Sequence, residues 1–118
     1  MNKVSLGKKA EEAASEYLSK KGYKIVARNF RCSFGEMDII AEDADVLVFV
    51  EVRSRRSSFY GLPQESVDWL KQQKLRRLAS YYLKINNVSD RKCRFDVIGI
   101  LFDQDKKVKS LELIQDAF

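Results

Sequence analysis

The sequence contains no histidine. That absence excludes Ser-His-Asp triads, Cys-His pairs and His-ligated zinc. Cysteine is scarce too: Cys32 and Cys93 lie far apart and form no CxxC pair. They are too few for a structural zinc site and are expected to be buried free thiols in a reducing cytoplasm. No apolar stretch is long enough to span a bilayer, so no membrane association is expected. The opening MNKVSLGKKAEEAASEYL lacks the apolar core of a signal peptide. Repeats, linkers and low-complexity segments are missing as well. Catalysis, if any, must rest on carboxylates, lysines, arginines, hydroxyls or a bound metal. A hard cation held by oxygen ligands is the natural candidate.

The 118 residues suit a single domain spanning 1–118, and a 45% hydrophobic content is enough for it to fold. The formal net charge of +5 makes a polyanion a reasonable partner. Ser5 can cap a first helix and Gly22 can end it, with Leu6, Ala10, Ala13, Ala14, Tyr17 and Leu18 as its apolar stripe. A strand is predicted at Tyr23–Asn29, followed by a hairpin over residues 35–55. Pro63 marks the first turn of a second helix running to about Ile85. Cys93–Phe102 reads as a strand with a buried centre, and Val108–Ile114 alternates like an edge strand. The predicted order is α-β-β-β-α-β-β, an α/β domain with a mixed sheet of about five strands flanked by helices.

The hairpin GEMDIIAEDADVLVFVEVRSR carries acidic residues where a core is expected. Glu36, Asp38 and Ile40 share one face of its first strand, and Phe49, Glu51 and Arg53 share one face of its second. If the turn is centred on Ala44-Asp45, Asp38 and Glu51 are directly opposed, with Cβ atoms roughly 5 Å apart. Like charges so placed repel, and one should have a raised pKa unless a cation lies between them. Mg²⁺ or Mn²⁺ would relieve the repulsion. Arg53, two residues beyond Glu51, could hold a phosphate oxygen or stabilise developing charge. The plainer reading is that Asp38 and Glu51 form ion pairs with Arg28, Arg53 or Arg55 and do no chemistry.

On the first helix Glu11 falls at the edge of the apolar stripe and can reach over the sheet toward this pair, while Glu12 points to solvent. Taken alone, Glu11 is read more simply as an ordinary boundary residue salt-bridged to Lys8. On the second helix Val67, Leu70, Leu75, Leu78, Tyr82 and Ile85 define the buried face, and Lys71 and Lys74 fall inside it. Lysines there either snorkel out or point toward an anion. The loop RSRRSSFYG, Arg53–Gly61, is basic and hydroxyl-rich, so Arg55 and Arg56 are candidates to track a phosphate backbone.

Taken in order, G7-x-x-x-E11-x-x-A14, R28-N29, G35-E36-M37-D38-I39-I40-A41, F49-V50-E51-V52-R53-x-R55, G61-x-P63-x-E65-x-V67, K71-x-x-K74 and R94-F95-D96-V97 resemble the YraN-like bacterial proteins. That group lies in the restriction-endonuclease-like PD-(D/E)XK superfamily and is similar to archaeal Holliday-junction resolvases. The resemblance runs from Gly7 to Phe118. It implies a restriction-endonuclease-like fold with a divalent metal at the hairpin. Asp38 matches the motif aspartate, Glu51 the second acidic ligand and Glu11 the helical glutamate, and the Val52 carbonyl would be a further ligand. The implied reaction is hydrolysis of a phosphodiester. Arg53 stands where the motif has lysine. Arginine effectively cannot lose its proton, so a mechanism that needs a base there would be slow or inactive.

The leading expectation is therefore a cytoplasmic, Mg²⁺- or Mn²⁺-dependent DNA endonuclease, with branched DNA a candidate substrate. Asp38, Glu51, Glu11 and Arg53 would form the catalytic set. Lys71, Lys74, Arg55 and Arg56 would hold nucleic acid, and a homodimer would suit a two-strand cut. The rival is a non-catalytic nucleic-acid-binding domain with a decayed site. A third reading is a protein-interaction domain.

Overall fold

A computed structural model describes residues 5–56 and 62–118. Helix α1 spans Leu6–Lys20. It starts where the Ser5 hydroxyl accepts the Lys8 amide at 3.2 Å, satisfying a donor the helix cannot. It stops at Gly22, whose φ of 97° suits glycine. Strands β1 (Lys24–Cys32), β2 (Gly35–Asp43) and β3 (Val46–Arg55) follow as an antiparallel meander. The expected first strand thus begins a residue later and runs past Asn29 to Cys32.

The second helix is shorter than expected. Pro63 opens a 3-10 turn, Pro63–Ser66, in which the Glu65 side chain accepts the Leu62 amide at 3.0 Å. The α-helix proper, α2, spans Trp69–Ile85 and starts anew where the Asp68 carboxylate accepts the Lys71 amide at 2.8 Å. Its buried face is Leu75, Leu78 and Ala79, with Tyr82 half-buried. Leu70 and Ile85, expected inside, are 72% and 49% exposed. At 3.6 residues per turn Leu70 is rotated away from the line through Leu75, Leu78 and Ala79, whereas Ile85 stays near the Leu78 side and is exposed as the last residue of the helix.

Helix α2 is the crossover that returns the chain to run β4 (Cys93–Phe102) parallel to β3. Strand β5 (Val108–Ile114) then adds antiparallel to β4. The sheet order β1-β2-β3-β4-β5 leaves β1 and β5 at the edges. Alternation divides the core. Val48, Val50, Ile98 and Ile100 pack with Ala10, Ala14 and Leu18 of α1. Leu47, Phe49 and Val97 pack with Leu75, Leu78 and Ala79 of α2. The fold is α/β, with the mixed five-strand sheet covered by a helix on each face. Among the described residues no helix is long and apolar enough to cross a membrane. Both cysteines are free; Cys32 is half-buried, but Cys93, expected inside, is exposed.

Two polar devices hold this frame. Fully buried Asp96 accepts Tyr23 Oη at 3.0 Å, Arg94 Nε at 2.9 Å and the Asp116 amide at 3.0 Å. Arg94 also bonds Asp43 at 3.0 Å, so β4, the end of β2 and the residues after β5 are tied together. Burial, more than its neighbours, pushes the Tyr23 hydroxyl pKa up. The second device is a contact of Pro63 with Gly99: a Cβ on Gly99 would lie 2.1 Å from Pro63 Cγ. Only glycine lets the 3-10 turn sit this close to β4.

Candidate metal and phosphate site

The β2–β3 register is the one the Ala44-Asp45 turn implies, with Ala44 at φ 55°. Pairing runs from Asp43↔Val46 to Ile39↔Val50 and stops one pair short of Asp38 and Glu51. The cause is a break in alternation. Met37 packs on the α2 side, while Ile39 and Ala41, of the same parity, pack on the α1 side. Asp38 sits at the break. Its carboxylate accepts the Val52 amide at 2.8 Å, joining the strands where the ladder ends.

Burial pushes the Asp38 pKa from the usual 3.8 up to about 8; the adjacent Glu51 carboxyl adds to this, Glu11 adds less, and the Val52 amide opposes it. Glu51 is buried at 4% exposure and is matched by cations. Arg53 Nη1 and Lys71 Nζ each lie 3.4 Å from its Oε2.

The structure brings Glu11 to this end of the sheet as well. Carboxylate oxygens of Glu11, Glu36 and Asp38 lie within 4.8 Å of one another. Glu36 was not among the expected site residues, although it shares a face with Asp38 in sequence. Its other partner is Arg31, at 3.1 Å. An all-oxygen set fits a hard cation. Oxygens on opposite sides of one divalent ion at about 2.1–2.4 Å stand roughly 4.2–4.8 Å apart, so one ion could touch all three. Among the described residues no Glu11–Lys8 bridge is seen, while the neighbouring Glu12 pairs with Arg28 at 3.0 Å.

Beside the carboxylates opens a cleft of ≈ 620 Å³. Glu36, Asp38 and Glu51 line it together with Arg31, Arg53, Lys71 and Lys74. Lys74 lies against the β1–β2 turn, where a Cβ on Gly35, at φ +150°, would come 2.8 Å from its Cε. Val52, expected to offer its carbonyl, also lines the cleft, and its amide is taken by Asp38. Arg55 lies in an adjoining hollow of ≈ 550 Å³ with Val52, Arg53, Ser54, Pro63 and Ser66. Arg56 is exposed beyond the strand end. The rest of that loop, residues 57–61, lies outside the described residues, as does Gly61 of the quoted motif. Carboxylates ringed by cations can hold a divalent ion and a phosphate side by side.

Comparison with known sequences bears on the whole chain. The model of the "Uncharacterised protein family UPF0102" matches residues 10–100. A UPF0102 protein of Pelotomaculum thermopropionicum is 51% identical over 96% of this chain and 94% of its own length. One of Moorella thermoacetica is 45% identical over 100% and 98%, and one of Caldicellulosiruptor saccharolyticus 43% identical over 100% of both. The chain belongs to the UPF0102 family.

Proposed function

We propose that this UPF0102 chain is a divalent-metal-dependent nuclease on a restriction-endonuclease-like fold, hydrolysing phosphodiester bonds in nucleic acid, with DNA the expected substrate. The observation that carries the reading is the meeting of Glu11, Glu36 and Asp38 beside a cleft lined by four cations. A bound Mg²⁺ or Mn²⁺ would neutralise the scissile phosphate and lower the pKa of an attacking water. Glu11, Glu36 and Asp38 would hold the ion. Glu51 would hold the cations in place and stand beside Asp38 as an outer ligand. Lys74 would bind backbone phosphate, supported along its stem by Gly35.

The test is cleavage of labelled four-way-junction, flap and linear duplex DNA in Mg²⁺, Mn²⁺ or EDTA, with Asp38→Asn in parallel. Metal-dependent cutting lost in the variant is expected. Salt-sensitive DNA binding with no cutting in either metal, indifferent to EDTA and to Asp38→Asn, would replace it with the binding-domain reading. That second reading draws on Arg53, which cannot supply a titrating amine.

A further inference from the structure

We propose that Lys71, carried on α2, is the cation that meets the scissile phosphate, and that Arg53 is a positioning residue that places it. The inference rests on the nuclease reading and divides the labour within that site. Arg53 and Lys71 both approach Glu51 Oε2 at 3.4 Å, yet their remaining contacts differ. Arg53 Nε donates to Ser66 Oγ at 3.0 Å, and its Nη2 donates to the Ser66 carbonyl at 3.1 Å. This is the planar two-donor edge that would otherwise clasp a phosphate. Ser66 Oγ in turn donates to the Pro63 carbonyl at 2.6 Å, and Pro63 rests on Gly99. Arg53 is thus a strut between β3 and the 3-10 turn, three residues before α2 begins.

Lys71 has the opposite character. Its backbone amide is fixed by Asp68 at 2.8 Å, which sets the first turn of α2. Its ammonium touches Glu51, and that is its only ion pair among the described residues. An ammonium has three donors, so donors remain for phosphate oxygens beside the ion pair. The side chain lines the same cleft as Asp38, so a phosphate there can reach the metal carboxylates and Lys71 at once. Arg53 acts through this geometry: it fixes the turn, the turn fixes the start of α2, and the start of α2 fixes Lys71.

The experiment compares wild type with Lys71→Met, Lys71→Arg, Arg53→Met and Arg53→Lys. Three quantities are read: DNA cleavage in Mn²⁺, Mn²⁺ affinity by calorimetry, and binding of a short DNA duplex in Ca²⁺, a cation chosen to hold substrate without turnover. Lys71→Met should lose about 100-fold or more in kcat, the usual cost of removing one donor to developing charge. Mn²⁺ affinity should be unchanged or higher, which a merely structural defect would not give. Lys71→Arg should restore part of the rate by restoring the charge. Arg53→Met and Arg53→Lys should each lose less than Lys71→Met in kcat. Lys71→Met cutting within threefold of wild type, with Arg53→Met inactive, would overturn the assignment. If wild type cuts nothing, the nuclease reading fails, and duplex binding in Ca²⁺ then decides on Lys71 by itself. About tenfold weaker binding of Lys71→Met, with a smaller loss in Arg53→Met, retains the phosphate contact; equal weakening of both variants, or of neither, removes it.

Discussion

Asp38→Asn should stabilise the metal-free protein at alkaline pH. Asp38 has its pKa raised from 3.8 to about 8, chiefly by burial, then by the Glu51 carboxyl. Between those pH values the folded chain keeps a proton that the unfolded chain has released. The folded state therefore binds more protons, and stability falls as pH rises through that window. The penalty is absent below pH 3.8 and complete above pH 8. Moving an acid that far corresponds to an upper figure of about 5–6 kcal/mol, at about 1.4 kcal/mol per tenfold change in proton affinity. Asp38 is only half-buried and faces an open cleft, so solvent screening reduces the expected gain to about 2 kcal/mol. Asparagine keeps an oxygen for the Val52 amide, so the strand junction survives. Urea unfolding of both proteins in EDTA, from pH 5 to pH 9, measures the difference. A gap that opens with pH, and closes again when Mn²⁺ stabilises only the wild type, is the expected result. Equal midpoints at pH 9 would refute the reasoning about burial and like charge.

Glu36→Gln should weaken Mn²⁺ binding by about tenfold or more in calorimetry while the melting temperature barely moves, since it removes one anionic ligand from a partly exposed set. Asp96→Ala should cost about 3–5 kcal/mol in denaturant unfolding, because Arg94 is left in a largely buried position with its main partner gone. Gly99→Ala should cost about 1–3 kcal/mol and lower any cleavage rate, because the new methyl displaces Pro63 and with it the turn that anchors Arg53. Leu78→Ala should cost about 2–5 kcal/mol through the cavity it leaves under α2 and leave the Mn²⁺ affinity near wild type.

The parts of this fold set by local rules were legible in the sequence. Ser5, Gly22 and the Ala10–Ala14–Leu18 stripe define α1 by capping and periodicity. The turn at Ala44-Asp45 fixes the hairpin register, so the approach of Asp38 to Glu51 follows from counting. The α2 start was misplaced because Pro63 is a true helical start signal, spent here on a 3-10 turn; Asp68 is the second cap, readable as such only once the first is set aside. Glu36 does not stand out in the sequence because its place beside Glu11 and Asp38 depends on tertiary structure. The break in alternation at Asp38, and the distance from α1 to β2, bring Glu11 and Glu36 together, and no period in the sequence reports either. The contact of Arg53 with Ser66 is illegible for a similar reason: the two meet only after the crossover has closed.

The parallel pairing of β3 with β4 also orders events in time. The meander β1–β2–β3 is built from near neighbours, whereas β4 can join only after the whole crossover has been traversed. Contacts between sequence neighbours form sooner than distant ones. Glu11, Glu36, Asp38 and Glu51 all precede the crossover, and Lys71 and Lys74 lie within it. During folding the acidic side of the cleft should therefore assemble first, balanced only by Arg31 and Arg53 until Lys71 and Lys74 arrive. Four carboxylates against two arginines leave a net repulsion that would add to the barrier. A divalent cation should raise the refolding rate and not only retard unfolding, making the ion a template on which the nascent site closes.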